Sequence, residues 1–423
     1  MMKKTALFLL PLLFGTAHAR QADRIVQPAI HSVKLYKAGD IYSFPVIALN
    51  SSQQLELHFD DTDGDIKNYY YTFQLCNADW TPSNLLPFDY IKGFQNTRIN
   101  TYRHSSISNV RYTHYQAMIP ERNSAPMRSG NYLLKVFVNN DTTNLYFTCR
   151  FLVVDNKVSI AAQLRQPYSA QLYLSDQRIQ VNVNTANARI NIMSPQDLKL
   201  VVLQNYSWPA AAATDRPTIY RGNYFEYNDD VTSFPSGREW RWIDLRSMRL
   251  MSERMGKMQS TGNRVDISVN TDGERRQQVY LYYRDINGLY TIENTDGNNP
   301  YWQSDYAYVH FTYAPPGGTA YAGKDLYLYG ELTQFRPDEQ SKMEFNAEKG
   351  VYEKTLFLKQ GYYNYSYITL NAGQPAGNRF AFENTEGNFT NTENQYTVLV
   401  YFRPFGGRAD ELIGYTQLNS VLP

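Results

Sequence analysis

At 423 residues the chain is too long for one β-sandwich of about 100 residues and suits two to four domains, with three expected. Its 41 basic and 40 acidic residues nearly cancel and form no block of like charge, so neither nucleic acid nor an anionic membrane is indicated as a partner. Two cysteines, Cys76 and Cys149, exclude a disulfide-dense scaffold and a multi-cysteine zinc site, and permit one bridge if the chain is exported.

Export is the first expectation in chain order. Lys3 and Lys4 precede an apolar stretch from Thr5 to Phe14, and Ala17-His18-Ala19 supplies small residues for cleavage, so residues 1–19 read as a secretory signal peptide. That apolar core is about half the length of a membrane span, and no later run is long enough to cross a bilayer; mean hydropathy is −0.52. Without Lys3 and Lys4 the net charge becomes −1.

Thereafter short runs of Tyr, Phe, Val and Thr alternate with polar residues and are separated by Asn, Asp, Gly, Pro and Ser. This pattern predicts strands at Tyr69 to Cys76, Asn131 to Val138, Leu145 to Val154, Arg178 to Asn184, Lys199 to Leu203, Val279 to Tyr283, Tyr306 to Tyr313 and Val398 to Phe402. The best helical spacing, Ile243 to Met255, is poor. The fold class is therefore all-β, with serial immunoglobulin-like or early-set β-sandwich domains expected. Drawn on turn-rich borders, the domains are 20–158, 159–304 and 305–423, and Asn294 to Ser304 reads as an exposed linker. No period of 20 to 50 residues repeats, which argues against a propeller or solenoid. An outer-membrane barrel is disfavoured because apolar residues fall on both faces of runs such as Val400-Tyr401-Phe402, and Ser420 to Pro423 lack a terminal aromatic.

Candidate chemistry fails residue by residue. Gly318 to Lys324 has P-loop spacing, but Asp325 replaces the Ser or Thr that would hold magnesium, and strand text follows where a helix is required. The run Asp60-Asp61-Thr62-Asp63-Gly64-Asp65 resembles part of a calcium loop, yet Phe59 and Tyr70 fall where side-chain ligands are needed, which favours a plain turn. His104 beside Ser105 and Ser106 is adjacency without geometry, and neither a G-x-S-x-G nor an H-E-x-x-H is present. Scattered carboxylates leave a glycosidase pair open without pointing to one. No metal, nucleotide or organic cofactor is expected.

Two longer stretches are more specific. One is Asn68 to Ser83, containing Cys76-Asn77-Ala78-Asp79-Trp80-Thr81-Pro82, followed by Tyr90 to Phe94 and Tyr112 to Tyr115. The other is Thr392 to Tyr396 with Val400-Tyr401-Phe402-Arg403-Pro404-Phe405-Gly406-Gly407-Arg408 and Leu412 to Tyr415. With Phe234 to Gly237, Asp244 to Ser247 and Asp305 to Val309, they resemble the plug protein family of type IX secretion. The resemblance implies a non-enzymatic periplasmic protein, peripherally associated with the outer membrane, that closes the large outer-membrane barrel translocon of that system. Asn77 to Ser83 reads as a strand entering a turn, with Trp80 covering the core end. Arg403, Phe405 and Arg408 flank two glycines and are residue types favoured at protein interfaces, so they are the candidate partner contacts. A second likeness, Asp325 to Leu332 with Gly350 to Tyr365, is to glycogen- and starch-binding sandwich modules. It implies an early-set fold and carbohydrate as an alternative partner, although Phe335 stands where those modules place a sugar-stacking Trp.

Overall fold

The computed structural model describes residues 23–373 and 379–421; the signal peptide expected at 1–19 lies outside them. Their regular structure is strand, interrupted by single turns of 3-10 helix. The strands form mainly antiparallel sheets, with parallel pairing of Arg264–Val269 to Tyr306–Ala314 and of Val46–Ala48 to Leu145–Val154, that face one another around three apolar cores, the arrangement of serial β-sandwiches.

In the first unit, Leu145–Val154, Gly130–Val138 and Tyr69–Cys76 form the centre of one sheet. Ile30–Lys37, Leu55–Asp61, Thr113–Ile119 and Thr101–His104 form the other. Period-two alternation sends Leu57, Phe59, Tyr69, Tyr71, Phe73, Tyr115, Leu134 and Phe147 into the space between them. Each such side chain contributes about 2–3 kcal/mol of burial. Tyr serves here because its hydroxyl can reach a partner at the core edge: Tyr69 donates to Asp61 Oδ2 at 2.8 Å and Tyr132 to the Arg128 carbonyl at 2.9 Å.

The second unit departs from the borders drawn on turn residues. Ser159–Arg165, Asp176–Asn184, Tyr224–Tyr227 and Ile219–Arg221 form one of its sheets. The facing sheet runs Ala212–Thr214, Leu198–Gln204, Gln395–Phe402, Glu411–Asn419. Leu198 pairs with Phe402 and Gln204 with Tyr396, so the C-terminal hairpin closes the middle core rather than belonging with 305–394. Strand pairing is non-local, and the sequence text of the hairpin does not say which edge it joins.

The third unit packs Met255–Thr261, Arg264–Val269, Tyr306–Ala314, Val351–Lys359 and Glu344–Asn346 against a sheet centred on Tyr362–Asn371. The helical spacing at Ile243 to Met255 is not realised: Arg241–Asp244 pairs with Tyr362–Asn371 and Met255 opens another strand. Val279 to Tyr283, expected as a strand, joins no ladder.

A separate apolar cluster joins the first two units, with Cys76, Trp80, Leu133 and Leu152 against Val201, Leu203, Leu399, Tyr401 and Leu412. The first and third units meet through polar groups. Buried Lys34 reaches Glu331 at 2.7 Å, and buried Asp60 accepts from Tyr306 at 2.6 Å, from His114 Nδ1 at 2.7 Å and from Lys359. The segment 294–304 lies in this contact and is not an exposed linker. The Tyr301 ring stacks on His58 at 4.0 Å, its hydroxyl meets that of Tyr36 at 2.7 Å, and Ser304 is fully buried.

Cys76 and Cys149 are free and buried. They occupy strands separated by Gly130–Val138, where Cys76 is opposite Asn131 and Cys149 opposite Leu134. Two strand spacings, about 9–10 Å, exceed the roughly 7 Å over which Cα atoms can be bridged. The disulfide permitted by the cysteine count is therefore absent, and burial raises both thiol pKa values, that of Cys76 to about 12.

Candidate partner-binding surface

The loop 403–410 joins the two strands of the C-terminal hairpin and crosses to the first unit. Arg403 is committed internally. Its Nε donates to Asp410 Oδ1 at 2.7 Å and its Nη2 to Asn77 Oδ1 at 2.8 Å. Asp410 also accepts from the Ala78 N–H at 3.0 Å and faces Lys199 at 3.3 Å. Burial alone would raise the pKa of this carboxyl, but the hydrogen bonds from Arg403 and Ala78 and the charge of Lys199 hold it below the usual carboxylate range.

Pinned at Arg403, the loop turns sharply: Gly407 N–H bonds the Pro404 carbonyl at 2.7 Å, and Gly406 has φ +73°, the left-handed region that glycine enters without strain. The turn leaves the Phe405 ring 90% exposed. Arg408 reaches Asp89 Oδ2 at 3.4 Å in the single 3-10 turn Pro87–Asp89 of the first unit. That turn holds Leu86 and Phe88 outward, Phe88 being 62% exposed. Met127, also exposed, is beside it, since the Met127 N–H bonds the Tyr90 carbonyl at 2.9 Å and Arg128 Nε bonds the Asp89 carbonyl at 3.1 Å.

The strand Ile91–Gly93 continues from this turn and pairs with Ser124–Pro126 so closely that a Cβ on Gly93 would fall 2.1 Å from the Asn123 carbonyl oxygen. The result is a patch of exposed Phe, Leu and Met side chains on a turn and a hairpin loop that are each tied down by hydrogen bonds. Of the three residues expected to touch a partner, Phe405 is presented, Arg408 is half committed to Asp89, and Arg403 acts as a brace. Leu86, Phe88 and Met127 were missed from sequence, although Leu85-Leu86-Pro87-Phe88, an apolar run inside turn text, is a readable signal.

The signature around Trp80 is structural. Asp79 Oδ1 accepts from the Thr81 N–H at 3.0 Å, Asn77 donates to Thr81 Oγ1 at 3.0 Å, and the buried Trp80 ring meets Trp208 edge-on at 4.8 Å.

The other candidate chemistries resolve locally. Asp61, Asp63 and Asp65 converge, and Lys67 Nζ sits among them at 2.6, 2.7 and 2.9 Å, so an ammonium occupies the place a metal ion would take. Gly318 to Lys324 leads directly into the strand Lys324–Tyr329. His104 meets Thr113, while Ser105 bonds the Val110 carbonyl. Sequence reading did not find the buried chain Glu56, His58, His114, Asp60, linked at 3.0, 3.0 and 2.7 Å and roofed by Tyr301. Burial, with the charge of His114, holds His58 neutral with a pKa of about 3. Phe335 is buried against Tyr329 at 5.6 Å and Trp240 at 6.2 Å, so it offers no face to a sugar.

Comparison with known proteins agrees with this architecture. Residues 30–155 match the family model described as type 9 secretion system plug protein, first domain. No curated protein matches. A solved structure of a hypothetical protein from Parabacteroides merdae ATCC 43184 superposes with a TM-score of 0.88 at 32% identity, covering 95% of this chain and 99% of that one. The chain belongs to the plug protein family of type IX secretion.

Proposed function

We propose that this protein is a periplasmic plug that docks reversibly on the periplasmic opening of the type IX outer-membrane translocon and seals it while cargo is absent. Family membership ties the chain to type IX secretion. The observation that carries the finer reading is the braced patch of Phe405, Phe88, Leu86 and Met127. Exposed apolar side chains on backbone segments braced by hydrogen bonds form an interface ready for a partner, because little loop entropy is lost on docking.

A barrel wide enough for folded cargo leaks when idle, and a rigid block of three joined cores suits the task of covering it. Near-neutral charge keeps such a cover from being trapped on lipid or cargo. The protein acts by binding and uses no cofactor. Carbohydrate binding is the weaker reading, because the residue placed to stack on a sugar is buried.

The test is retention of the full chain by the purified translocon. Replacing Phe405 and Phe88 together by Ala should weaken retention by about 2–4 kcal/mol while leaving thermal unfolding unchanged. Deleting the protein should make cells sensitive to antibiotics too large for the intact outer membrane. Unchanged permeability together with no copurifying barrel would reject the plug.

A further inference from the structure

The stretch Val279-Tyr280-Leu281-Tyr282-Tyr283 has the composition of a strand and yet pairs with nothing. Among the described residues, none of the backbone N–H groups from Val279 to Asp285 has a hydrogen-bond acceptor, and none of the carbonyls from Tyr280 to Asp285 has a donor. The segment is nevertheless fastened from beneath by side chains. Arg238 donates to the carbonyls of Arg275, Gln278 and Val279. Tyr280 OH bonds Glu239 and the Asn391 carbonyl, Tyr283 OH bonds the carbonyls of Glu239 and Trp240, and the Trp240 N–H bonds Asp285 Oδ2. Tyr280 stacks on Phe389 at 5.3 Å and Tyr283 meets Trp242 edge-on at 5.2 Å.

With Tyr280 and Tyr283 turned inward, Val279, Leu281 and Tyr282 face outward at 81, 67 and 55% exposure. A backbone fixed in place with free amides and outward apolar side chains is an open template for another strand.

Charge selects the occupant. Arg276 is paired with Glu274, whereas exposed Arg284 has no ion-pair partner among the described residues. A second copy pairing along the same edge would bring another unpaired Arg284 and no free acid to answer it. A foreign strand with carboxylates near its ends would meet the unpaired Arg284 guanidinium at one end and, at the other, Arg276 in its pair with Glu274.

We propose that Val279–Arg284 is a docking edge that takes up an extended, acid-flanked segment of a partner polypeptide as an added β-strand. This rests on the reading of the protein as one that docks on the translocon, and adds a second contact, distinct from the Phe405 patch, made through the main chain.

Amide hydrogen exchange on the full chain tests it, alone and in complex with the purified translocon. Alone, the amides of 279–285 should exchange near intrinsic rates; in the complex they should slow by about 100-fold. Leu281→Asp and Arg284→Glu should each weaken retention by about tenfold. Arg284→Lys, and Leu174→Asp at an exposed apolar position elsewhere, should leave it unchanged. A retained barrel with these amides still fast would overturn the docking edge and leave the plug standing. If no barrel is retained the plug reading fails, and a Glu-flanked heptapeptide of alternating Val and Thr then decides the edge. Slowing of the amides by that peptide and not by its Lys-flanked counterpart supports it, and no slowing by either overturns it. Protection in the free protein that rises with concentration alongside a dimer mass would also overturn it, by making a second copy the occupant.

Discussion

Lys67 shows how one residue can settle a motif. The acidic run from Asp60 fails as a calcium loop on spacing, since Phe59 and Tyr70 cannot ligate, but spacing alone does not reveal what balances the carboxylates. The balance comes from Lys67, two residues beyond the run, bound to Asp61, Asp63 and Asp65. Burial of Lys67 favours its neutral form, and the hydrogen bonds to the three carboxylates outweigh that and raise its pKa. Because Asp61 is fully buried, Lys67→Met should cost about 3 kcal/mol in urea unfolding, with Lys67→Arg recovering most of it. Chelators should leave the wild-type Tm unchanged.

Asp285 carries the opposite imbalance. Burial raises its pKa to about 7, helped by the charges of Glu393 and Glu239, against the lowering effect of the Asn287 and Trp240 N–H groups. A carboxyl whose pKa is higher folded than unfolded gives its full contribution below the unfolded value, near 3.9, and loses it as pH rises through 7. Asp285→Asn stays neutral throughout. Its unfolding free energy relative to wild type should therefore rise by on the order of 2–4 kcal/mol between pH 5 and pH 8, measured by urea titration at each pH.

At the scale of elements, β-composition was easier to read than β-pairing. Tyr69–Cys76, Leu145–Val154 and Tyr306–Ala314 were legible because each is a run of strand formers that alternates or is wholly apolar, bounded by turn residues. Val279 to Tyr283 has the same text and no ladder, because composition reports what a backbone can do and not whether a neighbour is there to pair with it. The reverse holds at Asn294 to Ser304, where Asn, Gly and Pro suggest an open linker. That turn chemistry is real, with Asn294 Oδ1 accepting from the Gly297 N–H at 2.9 Å, but Tyr301 and Ser304 then bury it against the first unit.

These two segments make opposite predictions for proteolysis. A protease binds its substrate as an extended strand with free backbone groups, which Val279 to Arg284 offers and 294–304 does not. Limited chymotrypsin treatment should therefore cut after exposed Tyr282 well before Tyr301. Mass spectrometry of the first fragments would show it, and early cleavage at Tyr301 would mean that the inter-unit contact opens in solution.

Across the whole molecule, the partner patch was legible only in part because it is assembled from distant sequence. Phe405 stands out as an aromatic beside two glycines, but Leu86, Phe88 and Met127 lie hundreds of residues earlier, and its loop reaches their turn, through Arg408 and Asp89, only because the C-terminal hairpin returns to the middle sandwich. The same return explains why consecutive segments failed as a description of the fold. Leu198–Gln204 needs Gln395–Phe402 beside it, and Val398, Val400, Phe402 and Ile413 fill the core above Ile179, Val181 and Val183.

A fragment comprising 159–304 would expose that core along one open edge, with the unpaired N–H and C=O groups of Leu198–Gln204 at the margin. A fragment comprising 305–423 would carry an orphan hairpin and lack Arg241–Asp244, whose Arg241 forms a buried ion pair with Glu386 at 2.9 Å and another with Asp272 at 2.7 Å. Removing one partner from a buried charge pair costs about 3–5 kcal/mol, and the hairpin's lost apolar burial adds to it. Each fragment alone should therefore show no cooperative thermal transition and should bind a hydrophobic dye. A single-chain permutant in which 394–421 directly precedes 158 should restore cooperative unfolding of the middle sandwich, expressed as 394–421 linked to 158–236. If 305–423 instead folds by itself with a sharp transition, the hairpin does not depend on the middle sheet and the division of the chain at 304 is the correct one.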